Sequence, residues 1–449
     1  MKTLSAAAFA LCAGVPMLAQ APALQITSGG SSVQLYGVLD VGVAKVDHSL
    51  DLDGYHPLGA NPTVAKYADK SATGMYDGGI SQSRWGLKGS TDLGNDWKAL
   101  FTLEGAINLR SGSVANAAQG VAQNKAKTPE QQNADSAVAG QLFSRGAFVG
   151  VSNKDFGTLT LGRHTALMLD IIGGYDALQG AQLFTPIGYS GTYGGGGATD
   201  NSRLDNSVKY KGKWSDFSVA FLHKFGGVAG VSSARSSDQI SFGWEPGAFG
   251  IQVAYQTYKD AFSVGSPDPT AVPAQPVGTV VLTAYDTKAT MLTARYKAGP
   301  VFIKGGYQQL KYTNPSNPTE DANTTSLFGQ VVSLVKVTPY TVGGVEMEKK
   351  LDVYWLGAAW DVTDKFNAGV SYYHVKQNDF SRGLTVNGAN NAGNAKYTSL
   401  LLDYRFTKSF DAYMGYMAVS TDGGLGNTTI AGYLYDSNAT LGLGIRYAF

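Results

Sequence analysis

The sequence predicts an all-β protein: a 16-stranded antiparallel transmembrane β-barrel with short turns at one end, long loops at the other and an inward-folded third loop. Three observations carry that expectation. Apolar and polar residues alternate with period two, short and long connections strictly alternate, and aromatic residues recur just after the short turns. Composition agrees: 35 Lys and Arg stand against 34 Asp and Glu, charged residues are only 15%, and 57 of 449 residues are Gly. Hydrophobic residues at 43%, with 11% aromatics, supply a large core, which excludes a disordered chain. The balanced charge lacks the basic field that a nucleic-acid binder needs. A mean hydropathy of −0.10 averages a greasy outer face and a wet inner one.

Residues 1–23 read as an export signal, with Lys2 its only charge, an apolar run from Leu4 to Leu18 and small residues for cleavage between Ala19 and Ala23. That run is too short for a transmembrane helix, which needs ~20 residues. Cys12, the sole cysteine, leaves with it, and bulky Leu11 before it argues against a lipoprotein. Residues 24–449 then form one barrel domain, without thiol chemistry.

The first strand, 33–43, sets Val33, Leu35, Leu39, Val41 and Val43 against Gln34, Tyr36 and Asp40. Further strands are expected at 83–90, 98–109, 142–152, 156–164, 205–211, 216–223 and 238–244. In 249–258, Phe249, Ile251, Val253 and Tyr255 alternate with Gly250, Gln252, Ala254 and Gln256. Strands at 290–297, 301–310, 351–360 and 366–375 follow, then 397–405, where Leu400, Leu402 and Tyr404 alternate with Leu401, Asp403 and Arg405. The series ends at 410–418 and 440–449, the last setting Leu441, Leu443, Ile445, Tyr447 and Phe449 against Gly442, Gly444, Arg446 and Ala448.

Seven short connections, at 91–96, 153–155, 212–215, 245–248, 298–300, 361–365 and 407–409, alternate with Gly-, Asn-, Ser- and Pro-rich ones of 14 to 40 residues. A compact soluble domain rarely carries so many long loops, whereas an outer-membrane barrel requires them. Trp97, Phe156, Phe217, Phe249, Phe302, Phe366 and Phe410 follow the short turns, as a girdle at one membrane level demands. Closure is required because hydrocarbon cannot satisfy an open sheet edge.

Ordered motifs across the mature chain resemble the trimeric general porins of Gram-negative outer membranes, especially the β-proteobacterial type. They are Ser32-Val33-Gln34-Leu35-Tyr36-Gly37, Ser83-Arg84-Trp85-Gly86-Leu87-Lys88-Gly89, Glu104-Gly105, Ser144-Arg145-Gly146-Ala147-Phe148-Val149-Gly150, Gly157-Thr158-Leu159-Thr160-Leu161-Gly162-Arg163, Asp205-Asn206-Ser207-Val208-Lys209-Tyr210 and Phe449. The resemblance implies a homotrimer in outer-membrane lipid whose water-filled channel passes ions and small hydrophilic solutes. It also implies that Phe449 is the signal read by the barrel-insertion machinery, besides serving as a girdle residue.

The third long connection, Thr165 to Leu204, is the candidate eyelet. Gly173, Gly174, Gly188, Gly191 and Gly194–Gly197 allow tight backbone paths, and Met168, Leu169, Ile171, Ile172, Leu183, Phe184 and Ile187 are too apolar for a solvated loop. Resemblance assigns the same role to the third loop, although a Pro-Glu-Phe-Gly element found in enterobacterial relatives is missing. It also places Arg84, Arg145 and Arg163 on the facing wall. Alternation supports the first two, while Arg163 shares the parity of Leu159 and Leu161 and needs a bulge, or an inward apolar patch, to turn inside. Lys88 shares the face of Arg84, Glu104 lies on the polar face of its strand, and Asp170 and Asp176 are the loop acids. Guanidiniums facing carboxylates would set a transverse field across the constriction, and the count leans weakly towards anions.

A substrate-specific channel would display an inward aromatic track, for which Tyr36, Tyr258 and Tyr373 are dispersed candidates. An adhesion or anchoring scaffold would need neither the apolar loop nor the arginines. Enzyme chemistry is not expected: His48, His56, His164, His223 and His374 lack metal-ligand spacing, and no nucleophile elbow or phosphate loop occurs. No cofactor is called for.

Overall fold

The computed structural model describes residues 24–48, 71–110, 112, 142–187, 203–261, 263–264, 279–283, 285–318, 322–327, 330–334, 340–381, 391–425 and 436–449. The export signal with Cys12, the loop glycines Gly188 to Gly197, and His56 lie outside the described residues.

One antiparallel sheet closes on itself. Its strands are β1 (Ser31–Val46), β2 (Arg84–Gly94), β3 (Trp97–Ala106), β4 (Gly146–Asn153), β5 (Gly157–Thr165), β6 (Arg203–Trp214), β7 (Phe217–Lys224) and β8 (Ser237–Trp244), continuing as β9 (Phe249–Tyr258), β10 (Asp286–Ala298), β11 (Val301–Thr313), β12 (Lys349–Asp361), β13 (Phe366–Gln377), β14 (Gly393–Arg405), β15 (Phe410–Gly423) and β16 (Ser437–Ala448). Each expected strand has its counterpart. The ring closes where β16 pairs with β1, Leu39 opposite Tyr447. Beyond it, Gly37 N–H donates to the Phe449 carbonyl at 2.9 Å and Phe449 N–H to the Gly37 carbonyl at 3.1 Å. A Cβ on Gly37 would sit 2.4 Å from the Phe449 ring, so this glycine seats the aromatic on the outer face.

Several elements were not anticipated. Leu24–Ser28 folds back on Ser31–Leu35, below the end of β16, and Ala72–Asp77 pairs with the upper half of β1. Both runs are too short to register as alternation. Within the long connections, Ser263–Val264, Thr279–Thr283, Ala322–Leu327 and Gln330–Leu334 form a second small sheet. The fourth strand starts at Gly146, not at 142, because Leu142 to Arg145 lead in as irregular chain.

Alternation sorts the residues as expected. On β8, Ile240, Phe242 and Trp244 are exposed on the outside while Ser237, Gln239 and Ser241 are buried. At the short-turn end Trp97 stacks on Phe156 at 6.0 Å, Phe217 on Trp244 at 6.4 Å and Phe406 packs on Phe410 at 5.7 Å. Phe302 departs from this girdle: it is half-buried on the parity opposite exposed Ile303, under the Lys297 ammonium at 5.0 Å. Tightness of the first turn comes from Asn95 and Asp96, whose φ of 51° and 63° lie where Asn and Asp are tolerated and hairpin twist is matched.

Candidate functional site

The third loop folds inward and begins as a helix, α1 (Leu167–Tyr175), whose nine residues are too few for a helical period to stand out in the sequence. Its N-cap, Ala166, offers no side-chain acceptor. Instead the wall caps it, Gln239 Oε1 on β8 accepting the Leu167 N–H at 2.8 Å. Asp170 stands in the first turn, where the helix dipole favours a carboxylate. Leu167, Met168, Ile171, Ile172 and Tyr175 are buried, four of them in one apolar cluster with Met291, Leu310, Val353, Trp355 and Tyr373 of the wall. At about 1.5–3 kcal/mol per buried side chain, this face holds the helix inside. Trp355 Nε1 donates to the Tyr175 carbonyl at 3.0 Å.

Beyond the helix the loop is pinned twice more. The Asp176 carboxylate, fully buried, accepts the Tyr373 hydroxyl at 2.7 Å and the Gly180 N–H at 2.8 Å. Lys304 Nζ donates to the Asp176 carbonyl at 3.2 Å. Burial pushes this carboxyl above the usual carboxylate range, against the pull of those donors. Farther on, the Phe184 ring lies against Gly415, where a Cβ would come within 2.6 Å, and meets Tyr413 edge-on at 6.3 Å.

On β1 to β4 the expected wall residues converge. Glu104 Oε1 accepts Arg145 Nε at 2.7 Å, and its Oε2 accepts the Tyr36 hydroxyl at 3.0 Å and lies 3.7 Å from Arg84 Nε. Tyr36 reaches across because the intervening residue is Gly86, whose Cβ would stand 2.8 Å from the phenol. Lys88 lies over the Tyr36 ring at 5.1 Å, and Gln82 accepts from Arg145. Arg203 is buried nearby, within electrostatic reach of Arg145, Glu104, Arg163 and Asp170.

Arg163 turns out of simple alternation at a bulge between Gly162 and His164, where Gly162 takes a φ of 142° open to glycine alone. Its guanidinium donates to the Ser144 carbonyl at 2.8 Å and pairs with Asp205. Asp170 is clamped by Lys209 at 2.7 Å and Lys211 at 2.5 Å on β6. Burial opposes its ionisation, yet the two ammoniums outweigh that and hold the carboxyl down at about 2.

Two expectations therefore need correction. Asp170 and Asp176 are not free carboxylates opposed to guanidiniums across a gap; an apolar helix face turned to the wall carries them into polar contacts there. The counter-charge to Arg84 and Arg145 is Glu104, on the same wall. Sequence reasoning also missed Arg203, Lys209 and Lys211, although Lys209, Lys211 and Lys213 alternate with Val208, Tyr210 and Gly212. Tyr36 and Tyr373 are engaged with Glu104 and Asp176 and form no continuous track with Tyr258. His164 is buried, bonded to Ser207 Oγ at 2.8 Å and stacked on Phe148 at 5.0 Å.

Comparison with known proteins places these features in context. The family model described as Gram-negative porin matches residues 3–424. An outer membrane porin protein of Bordetella pertussis is 30% identical over 242 residues, 54% of this chain and 52% of that protein. Outer membrane porin protein 32 of Delftia acidovorans is 26% identical over 284 residues, 63% of this chain and 65% of that protein. The chain thus spans between half and two thirds of the curated relatives it matches. Among solved structures, the anion-selective porin from Comamonas acidovorans superposes with a TM-score of 0.60 at 19% identity, covering 93% of this chain and all of that one. OmpT of Vibrio cholerae in its trimer form gives 0.55 at 16% identity, covering 94% of this chain and 100% of that one. At these identities the likeness is one of fold.

Proposed function

Since this chain belongs to the Gram-negative porin family, we propose that it is an outer-membrane general diffusion channel that passes ions and small hydrophilic solutes passively and favours anions. The observation that carries the reading is the charge gathered around the inward loop. Arg84, Arg145, Arg163, Arg203, Lys88, Lys209, Lys211 and Lys304 make eight cations against the four carboxylates Glu104, Asp170, Asp176 and Asp205. Such an excess attracts anions and repels cations within the screening length, ~8 Å at physiological salt. Arg84, Arg145, Arg163, Lys88 and Glu104 serve as the wall of the constriction, and Asp170 and Asp176 fix the loop that narrows it.

Three copies assemble into a trimer, as in the trimer form of OmpT. The aliphatic outer faces of β1, β5 and β16, with Val33, Val43, Leu159, Leu161, Leu441 and Leu443 exposed, are the surface suited to neighbouring copies. Phe449 serves the insertion machinery as a recognition signal. Purified protein in planar bilayers tests the reading. Large, solute-insensitive steps arriving in threes, with a reversal potential on the anion side, are the expected result. Steps that saturate with one solute would overturn general diffusion, and reversal on the cation side would overturn anion preference.

A further inference from the structure

The outer face carries charge in a place that passage through the lumen does not use. Lys288 on β10, Lys311 on β11, Lys350 on β12, Lys376 on β13 and Lys396 on β14 occupy five consecutive strands. All share the parity of outward residues: Lys288 that of Leu292 and Tyr296, Lys350 that of Tyr354 and Leu356, Lys376 that of Val370 and Tyr372, Lys396 that of Leu400 and Tyr404. The register aligns them. Lys288 stands directly opposite Lys311 and Lys311 opposite Lys350. The row then steps to Lys376, opposite Asp352, and to Lys396, opposite His374.

Their height is set by the girdle. Lys350 and Trp360, Lys376 and Phe366, and Lys396 and Phe406 are each ten residues apart. At ~3.3 Å per residue on strands tilted ~40°, ten residues rise ~25 Å, the height of the apolar band on such barrels. The aromatics mark the short-turn edge of that band, so the lysines stand at the long-loop edge, level with the headgroups of the outer leaflet.

Like charges placed directly across a sheet repel, and the protein answers them sparingly. Glu348 lies 3.3 Å from Lys311 and 3.7 Å from Lys350, and Asp352, opposite Lys376, accepts from the Tyr307 hydroxyl at 2.6 Å and from Gln309 at 2.8 Å, which leaves five lysines against two acids. Lys288, Lys376 and Lys396 are exposed and form no ion pair among the described residues. On β7 and β8, beyond β9, the corresponding end by contrast carries His223 and Asp238, bound to each other at 2.7 Å.

We propose that the lysine row on β10 to β14 is a docking surface for the phosphorylated headgroups of outer-leaflet lipid, whose acyl chains run down the apolar face beneath. Ammonium groups bind phosphate as point charges, and basic residues near an anionic lipid surface each strengthen attachment roughly fivefold. The assignment rests on the barrel lying in the outer membrane, the setting of the proposed channel.

The test uses the full chain in phosphatidylcholine nanodiscs doped with diphosphoryl lipid A or with the same lipid stripped of its phosphates. Native mass spectrometry counts the lipid retained. The phosphorylated form should be kept at least tenfold better, and the triple variant Lys288→Gln, Lys376→Gln, Lys396→Gln should lose most of that preference. Single variants at Lys376 and Lys396 should each lose part of it, which keeps the question decidable if the triple variant does not fold. Equal retention of the two lipids, an unchanged triple variant, or displacement by an equal concentration of inorganic phosphate would overturn the proposal. Conductance should not change in these variants, because the row lies outside the lumen. A wild-type protein that fails to conduct would refute the channel reading and leave the lipid result standing.

Discussion

Replacing Glu104 with Gln removes the one carboxylate among the described residues that answers Arg84 and Arg145, while keeping the shape of the side chain. The carboxylate lies 2.7 Å from Arg145 Nε and 3.7 Å from Arg84 Nε, so its removal leaves both guanidiniums uncompensated. For a hydrated ion passing ~6 Å away in a water-like dielectric, one unit charge contributes ~0.7 kcal/mol. Cations lose that attraction and anions lose an equal repulsion, a combined ~1.4 kcal/mol or about tenfold in the permeability ratio. The measurement is the reversal potential across a KCl gradient, at salt near 0.01 M where the screening length is ~30 Å. Arg84→Gln should shift the ratio by a similar factor in the opposite direction, and Asp352→Asn, on the outer face, should not shift it. A Glu104→Gln channel whose ratio stays within about twofold of wild type would refute the claim that this wall sets selectivity. A shift towards cations would refute the sign of the field.

Other expectations concern the loop. Lys209→Met with Lys211→Met strips Asp170 of its partners, and leaving a buried charge unpaired costs about 3–5 kcal/mol; single-channel records should show larger, noisier openings. Gly415→Val drives a side chain into the Phe184 ring, and heat-modified gel mobility should reveal less folded barrel than in wild type. Acidification from pH 7 to pH 4 should leave the clamp of Lys209 and Lys211 on Asp170 intact. The Asp170 carboxyl is held at about 2, below the ~3.9 of a free aspartate, so its stabilisation is complete above the higher value and lost only as pH falls through the lower. A conductance change between pH 7 and pH 4 that Asp170→Asn abolishes would contradict this.

Most of the barrel was legible because period-two alternation reflects a physical boundary that every spanning strand crosses. Phe249, Ile251, Val253 and Tyr255 face outward because lipid admits nothing else there. The loop was legible only in part. Met168, Ile171, Ile172 and Phe184 betray burial by composition, but nothing local says that Asp170 ends on Lys209 and Lys211, which follow 39 and 41 residues later. Arg163 was a case of conflicting signals: its parity pointed outward, and the glycine before it supplied the bulge. Leu24–Ser28 was hidden by its position beside the expected signal, where apolar residues are already explained.

The seam between β1 and β16 has a consequence for biogenesis. Fifteen strands without β16 would leave two unpaired edges, and hydrocarbon tolerates neither. The strand that supplies closure is separated from its partner by nearly the entire sequence, Leu39 opposite Tyr447, so its pairing bears the largest loop-closure entropy in the molecule. Closure is therefore all-or-none: an interrupted or mispaired chain has no lipid-compatible stopping point short of the complete ring.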